Sequence, residues 1–299
     1  MTFRRSVLLL SGEDIDVLRQ AITASSADMI CLDLEDTVAP SQKVQARERI
    51  VQLLTENIWG RSQRAVRINS LSSPYIEDDL DEVLRGSAGA IDALFLSKVE
   101  SANDVVWVDR AVSQLSEIVN FKRRITLCAG IESARALTDI DKIASSSDRL
   151  DSLGFAIGDL SISLGVRIGA YLHDRSLYPG DIHHFAKSRI NLAAKTHGLQ
   201  ALDGPWPIVN DRATLIEDTR WGAMLGFDGK MALAEQQVKT IHEVYRPSQG
   251  EIDHANKMLD LYAKSVSAGR GAGVVEGEFM DPVTVGLARA TIARAQVPI

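Results

Sequence analysis

The sequence predicts an α/β fold, a (β/α)8 TIM barrel, on three observations. Short apolar runs alternate along the 299 residues with longer segments whose apolar residues recur every three or four positions. About eight such runs occur, most of them followed by a helical segment, which is typical of a closed barrel of roughly 250 residues. Charged residues end most of the runs, and this favours the barrel over an open doubly wound sheet with the same alternation.

The apolar runs are the predicted strands, taken in chain order. They cover residues 6–10, 29–35, 65–69, 93–98, 125–132, 152–157, 199–203 and 227–231. Helices are predicted between them over residues 13–25, 42–54, 101–119, 135–144, 181–195 and 211–225. The most regular is 101–119, where valine and leucine residues lie three and four apart and Ser101 occupies the N-cap position.

The length beyond the barrel lies at the C-terminus. Pro247 breaks the chain, and Ser248 with Glu251 has the spacing of a capping box at the start of a helix. We therefore expect a barrel domain over residues 1–246 and a helical extension over 247–299 that is not an independent domain.

Two further features mark the extension. Residues 267–277 are rich in glycine and flexible in composition. Asp281 precedes Pro282, and proline suits the first position of a helix, so a last helix is expected to begin there.

The charge balance excludes several function classes. The chain holds 33 Lys and Arg against 40 Asp and Glu, a formal net charge of −7, and has no basic cluster, so no nucleic-acid partner is expected. The N-terminal MTFRRSVLLLSGED has an apolar run too short for a signal peptide. No stretch reaches membrane-spanning length, so we expect a cytoplasmic protein with no membrane partner. Cys31 and Cys128 lie in apolar runs and are expected to be buried thiols.

Polar residues stand at the carboxyl ends of most predicted strands. In a barrel these ends meet at one face, where barrel enzymes place their active sites. The residues are Asp33, Glu35, Asp36, Arg67, Asn69, Lys98, Glu100, Glu132, Asp159, Asp203, Asp228 and Lys230.

Alternation within the strands predicts which of these side chains point into the barrel mouth. In the fifth strand the apolar residues share one face, which should pack on the helices, so Glu132 on the other face points inward. The same alternation turns four more residues inward: Asp33, Glu35, Arg67 and Asn69. Asp159 shares the parity of the apolar residues before it, so we expect it just past the end of its strand.

Glu132 and Asp159 are the predicted metal ligands. Two carboxylates, with the other positions left to water and substrate oxygens, suit Mg²⁺, with Mn²⁺ as the alternative. Zinc is disfavoured because the six histidines are scattered and form no cluster with cysteine. His183 and His184 are expected to be a solvated pair near a helix start.

Structural roles compete with functional ones at other positions. Asp36 could cap the helix that follows it. Lys98 and Glu100 could form a surface ion pair, and Asp203 could open a turn. For three residues a functional role is favoured, which indicates a metal-dependent barrel enzyme acting on an anion: Arg67, Glu132 and Asp159.

A set of short motifs occurs in one order along the chain. They are Arg4-Arg5-Ser6, Leu32-Asp33-Leu34-Glu35-Asp36 with Lys43 and Arg47, Val66-Arg67-Ile68-Asn69, Leu96-Ser97-Lys98-Val99-Glu100-Ser101, Ile131-Glu132-Ser133-Ala134-Arg135, Gly158-Asp159-Leu160, Ala201-Leu202-Asp203-Gly204-Pro205 and Gly226-Phe227-Asp228-Gly229-Lys230. Each is weak alone, but the ordered set is specific. In this order they resemble the citrate lyase beta-subunit and malyl-CoA lyase family of the HpcH/HpaI aldolase superfamily.

The resemblance implies roles for individual residues. It implies Mg²⁺ held by Glu132 and Asp159, and it places Arg67 on the reacting carbonyl or enolate oxygen. It also implies an acid/base aspartate, here Asp281, from a segment that is often donated across a subunit interface. Glu35 and Asp36 are the alternatives for the proton transfer. Asn69 and Lys98 are expected to bind substrate beside Arg67.

The resemblance further implies an activity and an assembly. The reaction is cleavage or formation of a 3-hydroxyacyl-CoA such as citryl-, malyl- or citramalyl-CoA, with an acyl-CoA and a 2-oxo acid as the other partners. A homo-oligomer, a trimer or a multiple of it, is expected, with the extension as a lid or swapped onto a neighbouring subunit. The alternatives are a CoA-independent 4-hydroxy-2-oxo-acid aldolase and a malyl-CoA-type thioesterase. A subunit dependent on an acyl-carrier complex is less favoured.

Three positions depart from the pattern of that family. Ser11-Gly12 stands where the family has Pro-Gly, and Ala234-Glu235 stands where it often has His-Pro. Asp281 and Pro282 are adjacent, whereas the family places one residue between them. The second and third departures bear on the CoA end of the pocket and on the role of Asp281.

Overall fold

The computed structural model describes residues 3–12, 14–167, 182–275 and 277–296. By internal contacts the chain divides into two units, Met1–Ile241 and His242–Ile299. In the first unit, eight parallel strands close into a barrel in the order β1 to β8. The predicted (β/α)8 barrel is confirmed.

The strands of the barrel are β1 Ser6–Leu10, β2 Met29–Asp33, β3 Gln63–Ile68, β4 Ala93–Leu96, β5 Thr126–Ile131, β6 Leu150–Phe155, β7 Gln200–Asp203 and β8 Gly229–Ala232. The helices around it are α1 Ile15–Ala24, α2 Lys43–Thr55, α3 Ile76–Gly86, α4 Ala102–Val119, α5 Ala134–Thr138, α6 Ile140–Ala144, α7 Ile157–Ser163, α8 His184–Thr196 and α9 Arg212–Leu225. Helix α10, Glu235–Tyr245, runs past the boundary between the two units. Among the described residues, no helix combines the length and the apolar character needed to span a membrane.

Local sequence signals explain where several helices begin and end. Asp14 caps α1 and accepts hydrogen bonds from the N–H groups of the first turn. Ser101 precedes α4, and its N–H donates to the Asp104 carboxylate at 3.0 Å, so the predicted cap is confirmed. Gly226 ends α9 with φ of 98°, a conformation that glycine adopts without strain.

Alternate strand residues fill the barrel interior. One buried cluster contains Val7, Met29, Cys31, Ala65, Ala93, Phe95, Cys128 and Leu202, with Leu9 and Met231 packed against it. A Cβ built on Gly154 of β6 would lie 2.6 Å from Phe95 Cζ and 3.4 Å from Met231 Cε. Because β4, β6 and β8 are not neighbours, these contacts cross the interior. Both cysteines are buried free thiols, as predicted.

Arg4 closes the amino end of the barrel. Its buried guanidinium donates to both carboxylate oxygens of Asp151 at 2.7 Å and to Gln63 Oε1 at 2.7 Å. Asp151 lies at the start of β6 and Gln63 at the start of β3, so one side chain ties distant strands together. Arg5 pairs in the same region with Asp28 at 2.8 Å.

Several elements of the barrel differ from the sequence prediction. Strands β2 and β4 end before the predicted residues 35 and 98, the predicted helix 135–144 is divided into α5 and α6, and α7 and α10 were not predicted. Strand β6 ends at Phe155 and helix α7 begins at Ile157, so the predicted strand 152–157 extends too far. Helix α3 is absent from the predicted elements, although Ile76, Leu80 and Val83 have helical spacing and are buried. The acidic residues around them hide that apolar stripe in the sequence.

The second unit holds helix α11 Gln249–Ser267, a hairpin of β9 Gly273–Val275 and β10 Glu278–Met280, and helix α12 Pro282–Ala295. The predicted capping box of Ser248 and Glu251 is confirmed, with the Ser248 N–H 2.7 Å from Glu251 Oε2. The last helix begins at Pro282, as predicted. The glycine-rich stretch contains β9, which the sequence analysis did not anticipate.

Candidate active site

Asp33 and Arg67 pair at the carboxyl ends of β2 and β3. The two residues are aligned in the strand register, and Arg67 Nε and Nη2 each lie 2.6 Å from a different Asp33 carboxylate oxygen. Asp33 also accepts from Thr37 and from the Glu35 N–H. Burial pushes the pKa of Asp33 upward, but the hydrogen bonds and charge of Arg67 outweigh it and hold the pKa below its usual value. Arg67 is therefore a fixed cation.

Lys98 contacts four of the five side chains that form the carboxylate cluster, which consists of Asp33, Glu35, Asp36, Glu132 and Asp159. Its N–H donates to Glu132 Oε1 at 2.9 Å, and its Nζ donates to Glu35 Oε1 at 2.6 Å and to Asp36 Oδ1 at 2.8 Å. The same Nζ lies 4.0 Å from Asp159 Oδ1. Burial opposes the charged form, but the hydrogen bonds that the ammonium donates to Asp36 and Glu35 raise the pKa of Lys98. One lysine thus links four acidic side chains.

These contacts decide between two readings of the sequence. The suggested ion pair of Lys98 with Glu100 is wrong, since Lys98 binds Glu35 and Asp36 instead. Glu100 accepts a hydrogen bond from Ser133 Oγ at 2.9 Å. Asp36 accepts from Lys98, and α2 begins without a side-chain cap, so Asp36 is not a helix cap.

Glu132 follows β5 and is 4% exposed. Its side chain folds back over Gly130, where an added Cβ would lie 2.5 Å from Glu132 Oε1. Burial raises the pKa of Glu132 to about 7 despite the Lys98 N–H, and the nearby charges of Glu35 and Asp159 act in the same direction as burial. This buried carboxylate lacks a cationic partner of its own among the described residues.

Asp159 lies in the first turn of α7, just past the end of β6, as predicted. Its side chain is 39% exposed, and its charge acts on both Lys98 and Glu132. The two predicted metal ligands therefore both lie close to Lys98, Glu132 at its backbone N–H and Asp159 near its ammonium, one buried and one open to solvent.

A buried network holds the segment that carries Glu35. Lys43 Nζ donates to the carbonyls of Leu34 and Glu35 at 2.6 and 2.9 Å and to Asn69 Oδ1 at 2.8 Å. Asn69 Nδ2 donates to Leu34 O at 2.9 Å and to Asp79 Oδ2 at 2.6 Å. Since protein groups engage both polar atoms of the Asn69 side chain, these contacts favour a positioning role. Its substrate-binding role stays a prediction.

A second buried network was not foreseen from the sequence. Lys230 Nζ lies 2.8 Å from Asp203 Oδ2, 2.6 Å from Asp218 Oδ2 and 2.6 Å from Gly204 O. Lys187 Nζ lies 3.2 Å from Asp218 Oδ1. Asp203 is therefore a buried ion-pair partner, which the reading as a simple turn missed. The network ties the segment after β7 to α8 and α9, because Lys187 and Asp218 lie on those helices.

His183 corrects another expectation. It is 1% exposed, whereas the sequence predicted a solvated pair with the exposed His184. His183 Nε2 lies 2.8 Å from Ser161 Oγ, and that hydroxyl donates to Ile157 O at 2.6 Å. The Ser161 hydroxyl thus has a backbone carbonyl as acceptor, and in the Nε2-protonated tautomer the histidine donates to the serine.

Asp281 lies in the second unit as the N-cap of α12. Its Oδ1 accepts from the Thr284 N–H at 2.9 Å. A capping role is thereby established, and its role in catalysis stays a prediction.

The charge of the cluster fits a divalent cation. Five carboxylate side chains, those of Asp33, Glu35, Asp36, Glu132 and Asp159, surround two cationic side chains, Arg67 and Lys98, a formal excess of three negative charges. Glu35 Oε2 is buried without a hydrogen-bond partner, and its ionic contact is with Arg67 Nη1 at 3.3 Å. The described residues contain no group of three or more His, Cys, Asp or Glu arranged to hold a metal ion. A cation at Glu132 and Asp159 would complete its shell with water and substrate oxygens, as Mg²⁺ does.

The sequence comparison decides the family. Residues 5–234 match the HpcH/HpaI aldolase/citrate lyase family. The chain belongs to this family. The resemblance drawn from the short motifs is confirmed, and so is the enzyme class, a lyase.

Relatives cover almost the whole chain. The chain is 32% identical over 289 residues to an L-malyl-CoA/beta-methylmalyl-CoA lyase of Cereibacter sphaeroides, across 94% of this chain and 91% of the relative. It is 29% identical over 295 residues to the citrate lyase subunit beta of Escherichia coli K12, across 98% and 94%. The crystal structure of CitE from Mycobacterium tuberculosis with magnesium, acetoacetate and coenzyme A superposes with a TM-score of 0.78, at 26% identity and 98% coverage of each chain.

One departure from the family pattern has a structural role here. Glu235 stands at the start of α10, where the family often has a proline. Its carboxylate accepts from Ser25 Oγ at 2.6 Å and from the Ser26 N–H at 3.1 Å. The side chain therefore joins α10 to the segment after α1.

Proposed function

We propose that this family member is a divalent-cation-dependent carbon–carbon lyase that cleaves or forms a 3-hydroxyacyl-CoA. One observation carries the proposal. The buried Glu132 accepts a hydrogen bond from the Lys98 backbone N–H, and the open Asp159 lies 4.0 Å from the Lys98 ammonium, near an arginine that Asp33 holds in place. The excess negative charge calls for a cation, and the arginine offers a permanent positive charge to a developing oxyanion.

The substrate class is proposed from the relatives. Malyl-CoA and beta-methylmalyl-CoA appear in the name of one relative, and the CitE structure holds magnesium, a keto acid and coenzyme A. A malyl- or citramalyl-type thioester, with a 2-oxo acid as one product, is the proposed substrate. Mg²⁺ is the proposed metal, and Mn²⁺ prefers the same oxygen ligands.

In the cleavage direction, a base removes the proton of the 3-hydroxyl group and the carbon–carbon bond breaks. The electron pair moves to the thioester carbonyl oxygen, which gives an enolate and a 2-oxo acid. Protonation of the enolate carbon then yields the acyl-CoA. We assign the enolate oxygen to Arg67, because a guanidinium preorganised where charge develops supplies a large share of catalysis.

A cation at Glu132 and Asp159 would act as a Lewis acid toward the hydroxy-acid end of the substrate. Glu132 is placed for this by the Lys98 N–H and by the space above Gly130. We assign the proton transfer to Asp281, with Glu35 and Asp36 as alternatives. The pKa of Glu35 is raised, mainly by burial, and this supports Glu35 as an alternative for the proton transfer.

The proposal extends to the organisation of the chain. Residues 247–299 are proposed to act with the barrel over residues 1–246 as a lid, either on the same subunit or on a neighbour in a homo-oligomer, with a trimer expected. Light scattering of the purified protein tests the homo-oligomer, and a monomer that retains full activity would contradict both the trimer and a lid supplied by a neighbouring subunit. A cytoplasmic location is proposed as well.

The activity is tested with the purified chain, Mg²⁺ and a panel of malyl-, citramalyl- and citryl-CoA. The 2-oxo acid and free CoA are measured separately. A 2-oxo acid formed with no free CoA supports the lyase. Free CoA without a 2-oxo acid would instead indicate a thioesterase, and turnover of 4-hydroxy-2-oxo acids alone would indicate a CoA-independent aldolase.

A further inference from the structure

We propose that Lys98 is a positioning residue rather than a substrate ligand. Its ammonium group neutralises part of the negative charge of the carboxylate cluster, and it opposes the binding of a divalent cation there. The inference deepens the proposed function and rests on it for the metal. Lys98 acts on the site in two ways, through its backbone and through its side chain.

The backbone contribution begins with an unusual conformation. Lys98 has φ of 51°, in the left-handed region that residues other than glycine seldom adopt. It lies two residues after Leu96, the last residue of β4, so the unusual conformation falls in the turn just past the end of that strand. This turn directs the Lys98 N–H to Glu132 Oε1 at 2.9 Å. The strained residue therefore fixes the orientation of a proposed metal ligand.

The side-chain contribution is electrostatic. Lys98 Nζ binds Glu35 at 2.6 Å and Asp36 at 2.8 Å, and it stands 4.0 Å from Asp159. Arg67 is engaged by Asp33 through two hydrogen bonds. Its remaining nitrogen lies 3.3 Å from Glu35 Oε2, so Lys98 shares Glu35 with Arg67 and is the cation that faces Asp36 and Asp159. The Lys98 ammonium donates hydrogen bonds to Glu35 and to both carboxylate oxygens of Asp36.

Two opposing consequences follow when the ammonium is removed. A divalent cation at Asp159 no longer meets a positive charge 4.0 Å from Oδ1, so it binds more tightly. Glu35 and Asp36 lose the group that holds them together, so turnover falls. A residue that only supports the fold would weaken metal binding and turnover together, so opposite changes are the signature of the proposed role.

The test uses three variants. Lys98→Met keeps the aliphatic stem but removes the charge, Lys98→Arg keeps the charge, and Lys98→Gly removes the charge while accommodating the left-handed backbone. Mg²⁺ affinity is measured by calorimetry on the metal-free protein, kcat is measured at saturating Mg²⁺, and thermal unfolding is followed with and without Mg²⁺.

We expect Lys98→Met and Lys98→Gly to bind Mg²⁺ about tenfold more tightly than the wild type. Their kcat should fall, and Lys98→Arg should keep an affinity within about twofold of the wild type. Metal-free Lys98→Met should melt at a lower temperature than the wild type, because three acids lose their counter-charge, and Mg²⁺ should remove this difference.

The outcomes separate this inference from the proposed function. Unchanged or weaker Mg²⁺ binding by Lys98→Met and Lys98→Gly would overturn the role of the ammonium. If the wild type binds no Mg²⁺ and Glu132→Gln changes nothing, the proposed function fails. In that case the melting temperature of the metal-free protein still tests the role of Lys98. An equal melting temperature for Lys98→Met and the wild type overturns the inference.

Discussion

The guanidinium of Arg67 is held by Asp33 on the neighbouring strand, with Nε and Nη2 each 2.6 Å from a separate carboxylate oxygen. Its third nitrogen, Nη1, lies 3.3 Å from Glu35 Oε2. The arginine is thus held in place before any substrate arrives, and its positive charge lies against Asp33 and Glu35 of the carboxylate cluster. Fixed charge of this kind needs little reorganisation during a reaction that develops an oxyanion.

Arg67→Lys tests the need for this fixed fork. A lysine cannot make both hydrogen bonds to Asp33, so we expect kcat/KM to fall by about 100-fold or more. Arg64→Lys is the matched control on the same strand, because Arg64 donates to Leu54 O and stacks over Trp59, away from the cluster. Steady-state kinetics of both variants provide the check, and near-normal rates for Arg67→Lys would reject its role at the oxyanion.

Glu132→Gln tests the proposed metal ligand. The amide oxygen still accepts the Lys98 N–H, so the fold should persist, but the ligand charge is lost. We expect Mg²⁺ affinity to fall by more than about tenfold in calorimetric titrations. The metal-free variant should be no less stable than the wild type, because burial already disfavours the charged form of this carboxyl. Glu100→Gln is the control, and it should bind Mg²⁺ like the wild type.

Two glycines of the barrel interior should respond differently to alanine. At Gly130 the new Cβ would lie 2.5 Å from Glu132 Oε1, so Gly130→Ala should displace that carboxylate and weaken Mg²⁺ binding. At Gly154 it would lie 2.6 Å from Phe95 Cζ, so Gly154→Ala should cost about 1–3 kcal/mol of unfolding free energy. Urea unfolding and Mg²⁺ titration of both variants measure this contrast. Equal Mg²⁺ affinity of Gly130→Ala and the wild type would refute the placement of Glu132.

The acid stability of the fold should depend on Asp218. Burial opposes its charge, yet Lys230 and Lys187 hold the pKa of Asp218 well below its usual value. The unfolded chain therefore binds a proton first as the pH falls, so this contribution to stability is complete above about pH 4 and declines below it. The free energy of unfolding of Asp218→Asn should be about 3–5 kcal/mol lower than that of the wild type at pH 7, and this difference should become smaller below pH 4.

Urea unfolding between pH 7 and pH 3 measures the effect of Asp218→Asn. The exposed Asp260 offers a control, since Asp260→Asn should leave the stability within about 0.5 kcal/mol at each pH. A difference between Asp218→Asn and the wild type that grows as the pH falls would contradict the assigned sign.

Much of the barrel could be predicted from the sequence, because strand periodicity and helix caps depend on residues that are close together in the chain. The inward direction of Arg67, Glu132 and Asp33 follows from alternation along their strands. Asp159 could be placed past its strand for the same reason. Helix α3 was not predicted, because its acidic residues mask the apolar stripe of Ile76, Leu80 and Val83.

The electrostatic partnerships of the site do not follow from local pattern. Lys98 meets Glu35 across 63 positions of sequence, and Lys230 meets Asp203 across 27. Such pairs depend on the closure of the barrel and on how helices pack against it. The sequence shows that these residues are charged and near strand ends, but not which charges neutralise each other. The burial of His183 was missed for the same reason, since its partner Ser161 lies on another helix.

The most direct test of the account is the cleavage of malyl-CoA by metal-stripped protein before and after Mg²⁺ is added. Acetyl-CoA, the 2-oxo acid and free CoA are quantified in the same sample. The account predicts no cleavage without the cation, and acetyl-CoA and 2-oxo acid in equal amounts once Mg²⁺ is restored. Full cleavage by the stripped protein, or free CoA in place of the 2-oxo acid, would contradict it.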